Sequence, residues 1–319
     1  MALTLHEIEI ARERISPHIL QTPILRLNTL DKRLGCEVFA KLECMQITGS
    51  FKLRGALNKI LSLTQAERKR GIVATSSGNH GKAIAYAAKM LGVKATVVLP
   101  YTAAKIKVDT IREWGAEIVQ CDASERFECA ERVCREQSAT LVPPFNDETV
   151  MAGQGTAALE IMEQCPELSA IIVPASGGGL IGGIATAIKT VAPQVLVYGA
   201  EPAALPRYSA SLKAGKPVPV EKKDTIADGL IAQIPGSICF PYVAAHTDAF
   251  AGVEEEYILK GMKLLLLEGK ILCEPSSGIG IGAVLQGLLP VKRTDKVCFF
   301  ISGGSVSLEQ LRILEGIAL

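Results

Sequence analysis

One lysine, Lys52, lies in a sequence context suited to covalent chemistry. Residues 48–56 (TGSFKLRGA) place it shortly after Ser50, which we predict to cap the start of a helix. A primary amine there can form an imine with a cofactor aldehyde, and it becomes more reactive if its pKa is lowered in a dry site. Lysines near helix starts are usually solvated, so Lys52 alone does not define a catalytic site.

Three turns rich in glycine and serine accompany this lysine, at residues 76–81 (SSGNHG), 176–180 (SGGGL) and 302–305 (SGGS). Each follows a short apolar run typical of a strand, at 72–75, 171–173 and 297–301, and is followed by a segment with helical spacing. Such turns direct backbone N–H groups and the positive end of a helix toward one point. The pattern therefore predicts an anion site.

Strand-like and helical segments alternate along the chain. Residues 94–99 and 117–120 read as strands, residues 104–114 and 124–137 read as helices, and the N-terminal 15 residues read as an amphipathic helix. This alternation predicts parallel strands joined by crossover helices, which is an α/β fold.

The triple-glycine turn also fits a second pattern. Gly177, Gly179 and Gly182 form a GxGxxG motif after a predicted strand, with Glu201 about twenty residues further on, as in dinucleotide-binding proteins. A nicotinamide enzyme is therefore an alternative, although it leaves Lys52 and the other two turns without a role. A lysine imine of the aldehyde cofactor absorbs near ~410 nm and bound nicotinamide does not, so an absorbance scan separates the two hypotheses.

The four motifs SFKLRGA, SSGNHG, SGGGL and SGGS, in this order over nearly the whole chain, resemble those of the fold-type II pyridoxal-phosphate (PLP) enzymes. Within that group the chain is similar to the threonine and serine dehydratases and the serine racemases, and residues 227–229 (ADG) and 273–275 (CEP) also match family positions. The resemblance implies a tryptophan synthase β-like fold, with two doubly wound parallel-sheet domains and the cofactor between them. We place the large domain at residues 1–70 and 147–319 and the small domain at residues 71–146.

The resemblance assigns a role to each matching residue. Lys52 would hold PLP as a Schiff base and then act as the base at Cα of the substrate. Gly177, Gly178 and Gly179 would cradle the phosphate, because residues without Cβ let successive amides approach it closely. The other expected cofactor contacts are Phe51 on the ring face, Asn79 at the 3′ oxygen, Ser302 at the pyridine nitrogen, Ser176, Leu180 and Glu274, and Asn146 is expected to line the site.

The substrate carboxylate is expected to bind at the second motif, through Ser76, Ser77, Asn79 and His80. His80 is also a candidate general base, and a purely structural hydrogen bond is the alternative. Ser302 offers a neutral hydroxyl, which weakens the electron sink and favours prompt loss of a β-substituent. Ser305 stands where the racemase-like relatives usually carry Asn, which leaves the details of that contact open.

Two positions bear on the reaction and on metal dependence. Ser77 matches the serine that acts as the second acid/base in the racemase branch, whereas threonine dehydratases usually carry Ala there. Racemase-like members bind a divalent ion through a glutamate that aligns with Glu201 and an aspartate whose place falls on Arg207. A cation at that position repels Mg²⁺, so a divalent site is in doubt, although Glu201 and backbone carbonyls could hold a monovalent ion.

Composition limits the partners and the compartment. The 319 residues carry a formal net charge of +1 with both signs interspersed, which favours neither nucleic acid nor an anionic membrane. Nine cysteines without metal-ligand spacing and a charged N-terminus without signal-peptide character indicate a cytoplasmic protein. We expect a homo-oligomer, either a dimer or a tetramer.

The predicted function is a PLP-dependent ammonia-lyase (dehydratase) that converts L-threonine, L-serine or a related 3-hydroxy amino acid to a 2-oxo acid and ammonia. Serine racemase, with dehydration as a side activity, is the alternative. A third hypothesis is a non-catalytic amino-acid sensor or partner subunit, which no feature of the sequence requires.

Overall fold

The computed structural model describes residues 2–76, 78–103 and 105–319, apart from the side chains of residues 106 and 107. Its strands are β1 (Ile24–Arg26), β2 (Glu37–Leu42), β3 (Ile72–Thr75), β4 (Ala95–Pro100), β5 (Glu117–Cys121), β6 (Thr140–Leu141), β7 (Ala170–Pro174), β8 (Leu196–Pro202), β9 (Ala249–Val253) and β10 (Lys296–Ile301).

The α-helices alternate with these strands. They are α1 (Leu5–Ile15), α2 (Asp31–Leu34), α3 (Lys52–Ser62), α4 (Gln65–Arg70), α5 (Asn79–Leu91), α6 (Lys105–Glu113), α7 (Arg126–Gln137), α8 (Glu148–Gln164), α9 (Gly179–Val191), α10 (Arg207–Ala214), α11 (Cys239–His246), α12 (Glu255–Leu267), α13 (Pro275–Leu285) and α14 (Leu308–Ile313). Short 3₁₀ turns connect several of them.

Two sheets organise the molecule. The larger sheet has six strands in the order β1-β2-β10-β7-β8-β9, and the smaller sheet has four in the order β5-β4-β3-β6. Strand β1 runs antiparallel to β2, and the other pairings of both sheets are parallel. The predicted α/β fold with parallel strands is confirmed, as are the strand and helix assignments from β4 to α7.

Both faces of the larger sheet are buried, as alternation along its strands requires. On β10, Phe299 contributes to one hydrophobic cluster, whereas Cys298 and Phe300 contribute to the cluster on the opposite face. Helices α12 and α13 belong to the first cluster, and α8 and α9 belong to the second. The sheet is therefore a rigid layer whose strand ends can hold loops in fixed positions.

The smaller sheet lies within residues 72–141, inside the segment assigned to the small domain. Its main core cluster also takes in Leu53, Leu57 and Ile60 from α3, which precedes that segment. Helix α3 thus shares a core with the smaller sheet, and it packs directly against α5 and α8. The domain limits at residues 71 and 146 remain a prediction.

A buried ion cluster fixes the first turn of α3. The Arg54 guanidinium donates to Glu43 at 2.9 and 2.7 Å and to Glu160 at 2.7 and 2.8 Å. Lys41 Nζ adds a 2.6 Å bond to Glu160. Because each charge is paired and hydrogen-bonded, loss of one partner would leave a buried charge unpaired. The cluster therefore constrains the position of Lys52, two residues before Arg54.

Among the residues that the structure describes, no helix is long and apolar enough to span a membrane.

Candidate active site

The loops that follow β3, β7 and β10 meet the start of α3 at a cavity of about 330 Å³. Parallel strands present their carboxyl ends at the same edge of a sheet, which is where ligands bind in open α/β folds. Residues from all four sequence motifs line this cavity, among them Lys52, Ser76, Gly178 and Ser302. The tertiary structure thus brings together segments that are far apart in sequence.

Lys52 is the first residue of α3, and it faces the cavity with partial exposure. Its Nζ donates a 2.7 Å hydrogen bond to the carbonyl oxygen of Pro144 and lies 5.1 Å from the centroid of the Phe51 ring. Desolvation by the surrounding protein lowers the pKa of Lys52 to about 8, against a smaller opposing electrostatic effect of Cys239 and Glu274. The amine is therefore available in its nucleophilic form near neutral pH.

The predicted Ser50 cap of this helix is wrong. Phe51 occupies the N-cap position without a side-chain cap, and the Ser50 hydroxyl is buried without a hydrogen-bond partner among the described residues. Ser50 instead forms an antiparallel bridge with Gly303, and Phe51 N donates to Ser302 O at 3.1 Å. This backbone pairing, which cannot be read from local sequence, turns Ser50 away from the helix and fixes Lys52 relative to the 302–305 loop.

The 302–305 loop also contacts α13 through serine hydroxyls. Ser302 Oγ lies 3.3 Å from Ser277 Oγ, and Ser277 Oγ bonds to both the N–H and the carbonyl of Gly303, at 3.0 and 2.9 Å. Ser302 lines the cavity with a neutral hydroxyl, as expected for that position.

The triple-glycine loop joins β7 to α9. Gly178 has φ of 104°, a conformation that glycine adopts without strain, and it is the N-cap of α9. A Cβ on Gly177 would lie 2.4 Å from the Phe145 ring, and a Cβ on Gly178 would lie 2.0 Å from Tyr208 Oη. Side chains are therefore excluded here, and the first amides of α9 remain free to bind an anion.

Tyr208 lies behind this loop, and sequence reasoning missed it. Its side chain is fully buried and stacks on Phe250 with ring centroids 4.8 Å apart. Its hydroxyl has no hydrogen-bond partner within the described part of the chain, and burial raises its pKa well above 10. A buried hydroxyl without a partner is costly, and a phosphate held at the glycine loop would supply the missing acceptor. No local pattern identifies this residue, because its role depends on its distance from Gly178.

Asn79 and Glu274 form the centre of a polar network on the cavity wall. Asn79 Nδ2 donates to both Glu274 carboxylate oxygens, at 3.1 and 2.9 Å, while its Oδ1 accepts from Ser305 Oγ at 2.6 Å. Lys82 Nζ donates to Ser305 Oγ at 3.1 Å. Burial raises the pKa of Glu274 to about 7, so this carboxyl titrates near neutral pH. Ser305 thus takes part in the network in place of the expected Asn.

His80 is held in a structural hydrogen bond. It is 3% exposed, and its Nε2–H donates to Val142 O at 2.9 Å. Burial, together with the charge of Lys52, lowers its pKa to about 3, so the ring is neutral at pH 7. This geometry favours the structural role over the general base. Ser76 also lines the cavity, where its Oγ accepts from Gly78 N at 3.2 Å.

Of the remaining candidate residues, two line the cavity and one does not. Ser176 and Leu180 line it, and Ser176 Oγ accepts from Ala232 N at 3.3 Å. Asn146 is not among the lining residues, because its amide bonds to Ile238 N at 2.8 Å and to Ser237 Oγ at 3.3 Å in an adjacent loop. Ser77 lies outside the described residues.

Glu201 does not face an open metal site. Its carboxylate accepts from the N–H groups of Tyr208 and Ser209, at 2.8 and 2.9 Å, and from Ser209 Oγ at 2.8 Å, so it caps the start of α10. Among the residues that the structure describes, no group of three or more His, Cys, Asp or Glu side chains could hold a metal ion. The Glu201 carboxylate is therefore engaged with these three donors, and Arg207 stands where the racemase-like relatives carry the second metal-binding carboxylate.

Sequence reasoning also missed two residues of α7 that line the cavity. Arg126 and Phe127 reach the cavity from the first turn of α7, with the guanidinium 4.8 Å from the Phe127 ring centroid. The sequence showed a charged helix start there, which is ordinary for a solvent-facing helix.

The desolvated amine of Lys52 at the cavity, the glycine cradle and the unpartnered Tyr208 hydroxyl behind it together suit an aldehyde cofactor that carries a phosphate. Fold and site thus define a PLP enzyme of fold-type II. The family model described as pyridoxal-phosphate dependent enzyme matches residues 15–303, and the chain belongs to that family. This membership disfavours the dinucleotide alternative suggested by the GxGxxG pattern.

Individual relatives agree with this membership. The chain is 39% identical over 311 residues to an L-threonine ammonia-lyase of Thermotoga maritima, covering 97% of this chain and 77% of that protein. It is 39% identical over 313 residues to a serine racemase of Oryza sativa subsp. indica, and the match covers 96% of this chain and 92% of that protein. The solved structure of maize serine racemase superposes with a TM-score of 0.94 at 37% identity, covering 98% of this chain and 97% of that one.

Proposed function

We propose that this protein is a PLP-dependent ammonia-lyase that converts L-threonine, L-serine or a related 3-hydroxy amino acid to a 2-oxo acid and ammonia. The observation that carries the proposal is the position of Lys52, whose amine, with a pKa of about 8, lies in a cavity shared with a glycine cradle. The similarity to a relative named L-threonine ammonia-lyase, over 97% of the chain, supports the proposal.

When bound, PLP supplies an aldehyde for the substrate amine and a ring that withdraws electrons from Cα. Lys52 is the residue that would hold the cofactor aldehyde, and once the substrate amine has taken its place, its free amine would accept the Cα proton. The lowered pKa of Lys52 suits this second task, because a general base must be neutral near the working pH. Overall, the substrate loses the Cα proton and its β-hydroxyl as water, and hydrolysis then yields the 2-oxo acid and ammonia.

The other residues of the site would bind the cofactor and orient it. Gly177, Gly178 and Gly179 would hold the phosphate with the first amides of α9, and the unpartnered Tyr208 hydroxyl would donate to it from behind the loop. Phe51 would pack on the ring of the cofactor, and an edge-on contact with Phe300, with ring centroids 6.2 Å apart, fixes its position. Asn79, held by its bonds to Glu274, would contact the 3′ oxygen of the cofactor, and Ser302 would contact its ring nitrogen.

The substrate carboxylate binds at the start of α5. Ser76, Asn79 and His80 surround the helix N-terminus at the cavity, where amide N–H groups favour an anion. Ser77 belongs to the same sequence motif, and a role in carboxylate binding is proposed for it from the family resemblance alone. His80 contributes its backbone N–H, since its ring is engaged with Val142.

Serine racemase is the second candidate, and the serine at position 77 favours it. Racemisation needs a proton donor on the face of Cα opposite Lys52, whereas elimination needs only Lys52 and a protonated leaving hydroxyl. The similarity to a rice serine racemase over 96% of the chain supports this possibility.

A substrate panel tests the proposal. Both enantiomers of serine, threonine, 3-hydroxyaspartate and phenylserine are assayed for 2-oxo acid release, with chiral chromatography of serine alongside. We expect 2-oxo acid from at least one L-3-hydroxy amino acid. In Ser77→Ala, loss of serine interconversion with elimination kept within about tenfold, or about 1.4 kcal/mol of barrier, identifies Ser77 as the opposite-face donor. Absence of turnover with the whole panel contradicts the lyase and favours a sensor or partner subunit.

The exposed apolar side chains and the free cysteines also support proposals about the oligomeric state and the cellular compartment. We infer a homo-oligomer, either a dimer or a tetramer, because the apolar side chains of Leu20, Met45 and Ile47 are exposed on two segments that the Leu20–Gln46 hydrogen bonds hold together. Its mass in solution, measured by light scattering, tests this. All nine cysteines are free thiols, which supports a reducing cytoplasm.

The domain division is likewise proposed as residues 1–70 and 147–319 for the large domain and residues 71–146 for the small one. The distribution of the two sheets supports it, since strands β3 to β6 fall within the inserted segment.

A further inference from the structure

Arg207 is a charged residue buried directly beneath the cofactor cradle. It is the first residue of α10 and has no solvent exposure. One guanidinium nitrogen donates to Ala175 O at 2.9 Å, and another donates to Leu230 O at 2.8 Å. Ala175 immediately precedes the glycine loop, and Leu230 lies in the segment 228–232 that lines the cavity. Arg207 thus links the two segments from behind.

The surroundings of this guanidinium are those of a bound cation. Two backbone carbonyl oxygens accept from it, and the buried carboxylate of Glu201 attracts it electrostatically while capping α10. Carbonyl and carboxylate oxygens are the ligands that hard metal ions take in proteins. Here the positive charge is part of a side chain, and the charges of Arg207 and a divalent ion would repel each other strongly in this dry region.

We propose that Arg207 is a built-in cation that takes the place of a bound divalent ion and positions the glycine loop against the segment 228–232. The protein therefore keeps its cofactor cradle without added metal. The inference depends on PLP binding at the glycine loop and not on which amino acid is the substrate, so it can fail while the proposed function stands.

The first test uses the wild-type protein. Apo-protein is titrated with Mg²⁺, Ca²⁺ or a chelator, and the melting temperature and the affinity for PLP are measured. We expect the melting temperature to stay within about 1 °C and the affinity within about twofold. A rise of several degrees with millimolar Mg²⁺, or a several-fold loss of PLP affinity in chelator, overturns the proposal.

The second test changes the charge at position 207. Arg207→Ala is expected to lower PLP affinity at least about tenfold with no rescue by cations. Arg207→Lys keeps a positive charge beside the carbonyls and is expected to recover most of that loss. Arg207→Asp creates a second carboxylate near Glu201, and its PLP affinity is expected to become dependent on Ca²⁺ or Mg²⁺. Exposed Arg293→Asp serves as the charge-matched control and is expected to be insensitive to these ions.

The variants separate positioning from mere folding. A purely structural arginine would lower the melting temperature in all three variants without a cation-dependent change in PLP affinity, and that result overturns the proposal. Wild-type affinity in Arg207→Ala also overturns it. If Arg207→Asp does not fold, the comparison of Arg207→Ala with Arg207→Lys and the titration of the wild-type protein still test the proposal.

Discussion

Asn79 and Glu274 are joined on the cavity wall by two hydrogen bonds, from Asn79 Nδ2 to the two carboxylate oxygens, at 3.1 and 2.9 Å. Asn79 begins the helix after β3 of the smaller sheet, whereas Glu274 directly precedes α13, which packs on the larger sheet. The pair therefore connects the two halves of the site, and it does so with a carboxyl group whose pKa burial raises to about 7.

The first prediction concerns the pH dependence of this pair. Asn79→Ala removes two donors from a buried carboxylate, so we expect a loss of apo-protein stability of about 1.5 to 3 kcal/mol at pH 8. The folded-state pKa of Glu274 lies above its unfolded value, and loss of the donors raises it further. In Asn79→Ala, Glu274 is therefore protonated and uncharged at pH 5. The loss of stability is expected above pH 7, where Glu274 is charged, and it disappears as the pH falls. Urea unfolding at both pH values measures it.

Exposed Asn28→Ala is the control for Asn79→Ala and should change stability little at either pH. Equal destabilisation at pH 5 and pH 8 would show that the charge of Glu274 does not account for the effect.

The second prediction concerns the identity of the cofactor-binding lysine. Lys52→Ala is expected to abolish both the cofactor absorbance near ~410 nm and the lyase activity. The melting temperature should change little, because the Lys52 side chain faces the cavity and bonds to a single carbonyl. Exposed Lys69→Ala, in α4, should retain wild-type absorbance and turnover. Turnover at the wild-type rate in Lys52→Ala would refute the proposed mechanism.

The third prediction uses the pKa of the same lysine. Only the neutral amine attacks an aldehyde, so the rate of PLP incorporation into apo-protein should rise with pH and level off above the Lys52 pKa of about 8. An ordinary lysine would give a midpoint near 10.4 instead. Stopped-flow absorbance follows the reaction. In Glu274→Gln the rise is expected to persist, which distinguishes Lys52 from the carboxyl that titrates near pH 7.

The fourth prediction concerns the glycine cradle. Gly178→Ala would place Cβ 2.0 Å from Tyr208 Oη at a φ of 104°, and Gly178→Val adds more bulk at the same point. PLP affinity should fall at least about tenfold, or about 1.4 kcal/mol. Gly287→Ala is the matched control, because Gly287 has φ of 72° with nothing within 4 Å of the added Cβ. Unchanged affinity in Gly178→Ala would place the phosphate elsewhere.

The fifth prediction is that Tyr208→Phe affects the stability of the apo-protein and its affinity for PLP in different ways. Tyr208→Phe removes a buried hydroxyl that has no partner in the described part of the protein, so apo-protein stability should stay the same or increase. PLP affinity should fall by about 10- to 100-fold, because a hydrogen bond to a charged group contributes about 1.5 to 3 kcal/mol. Tyr86→Phe, at a tyrosine that packs on Trp114 away from the cavity, is the control. A parallel loss of stability and affinity would contradict the assigned role.

The sequence alone predicted the features that depend on local spacing. Apolar runs followed by glycine-rich turns identified strands β3, β7 and β10, and alternation identified the parallel α/β fold, because strand and helix periods are properties of adjacent residues. The motif around Lys52 indicated the chemistry and the family. Ser50 shows the limit of local reasoning, since its predicted cap was displaced by a backbone bridge to Gly303.

Only the tertiary structure decided which distant groups share one environment. Asn79 and Glu274 are 195 residues apart in sequence and bond directly. The hydroxyl of Tyr208 and the guanidinium of Arg207 reach the glycine loop because α10 packs behind it. Desolvation of Lys52 and His80 depends on how completely the surrounding segments close around them. Burial and long-range hydrogen bonding arise from packing of the whole chain, so they have no signature in the spacing of neighbouring residues.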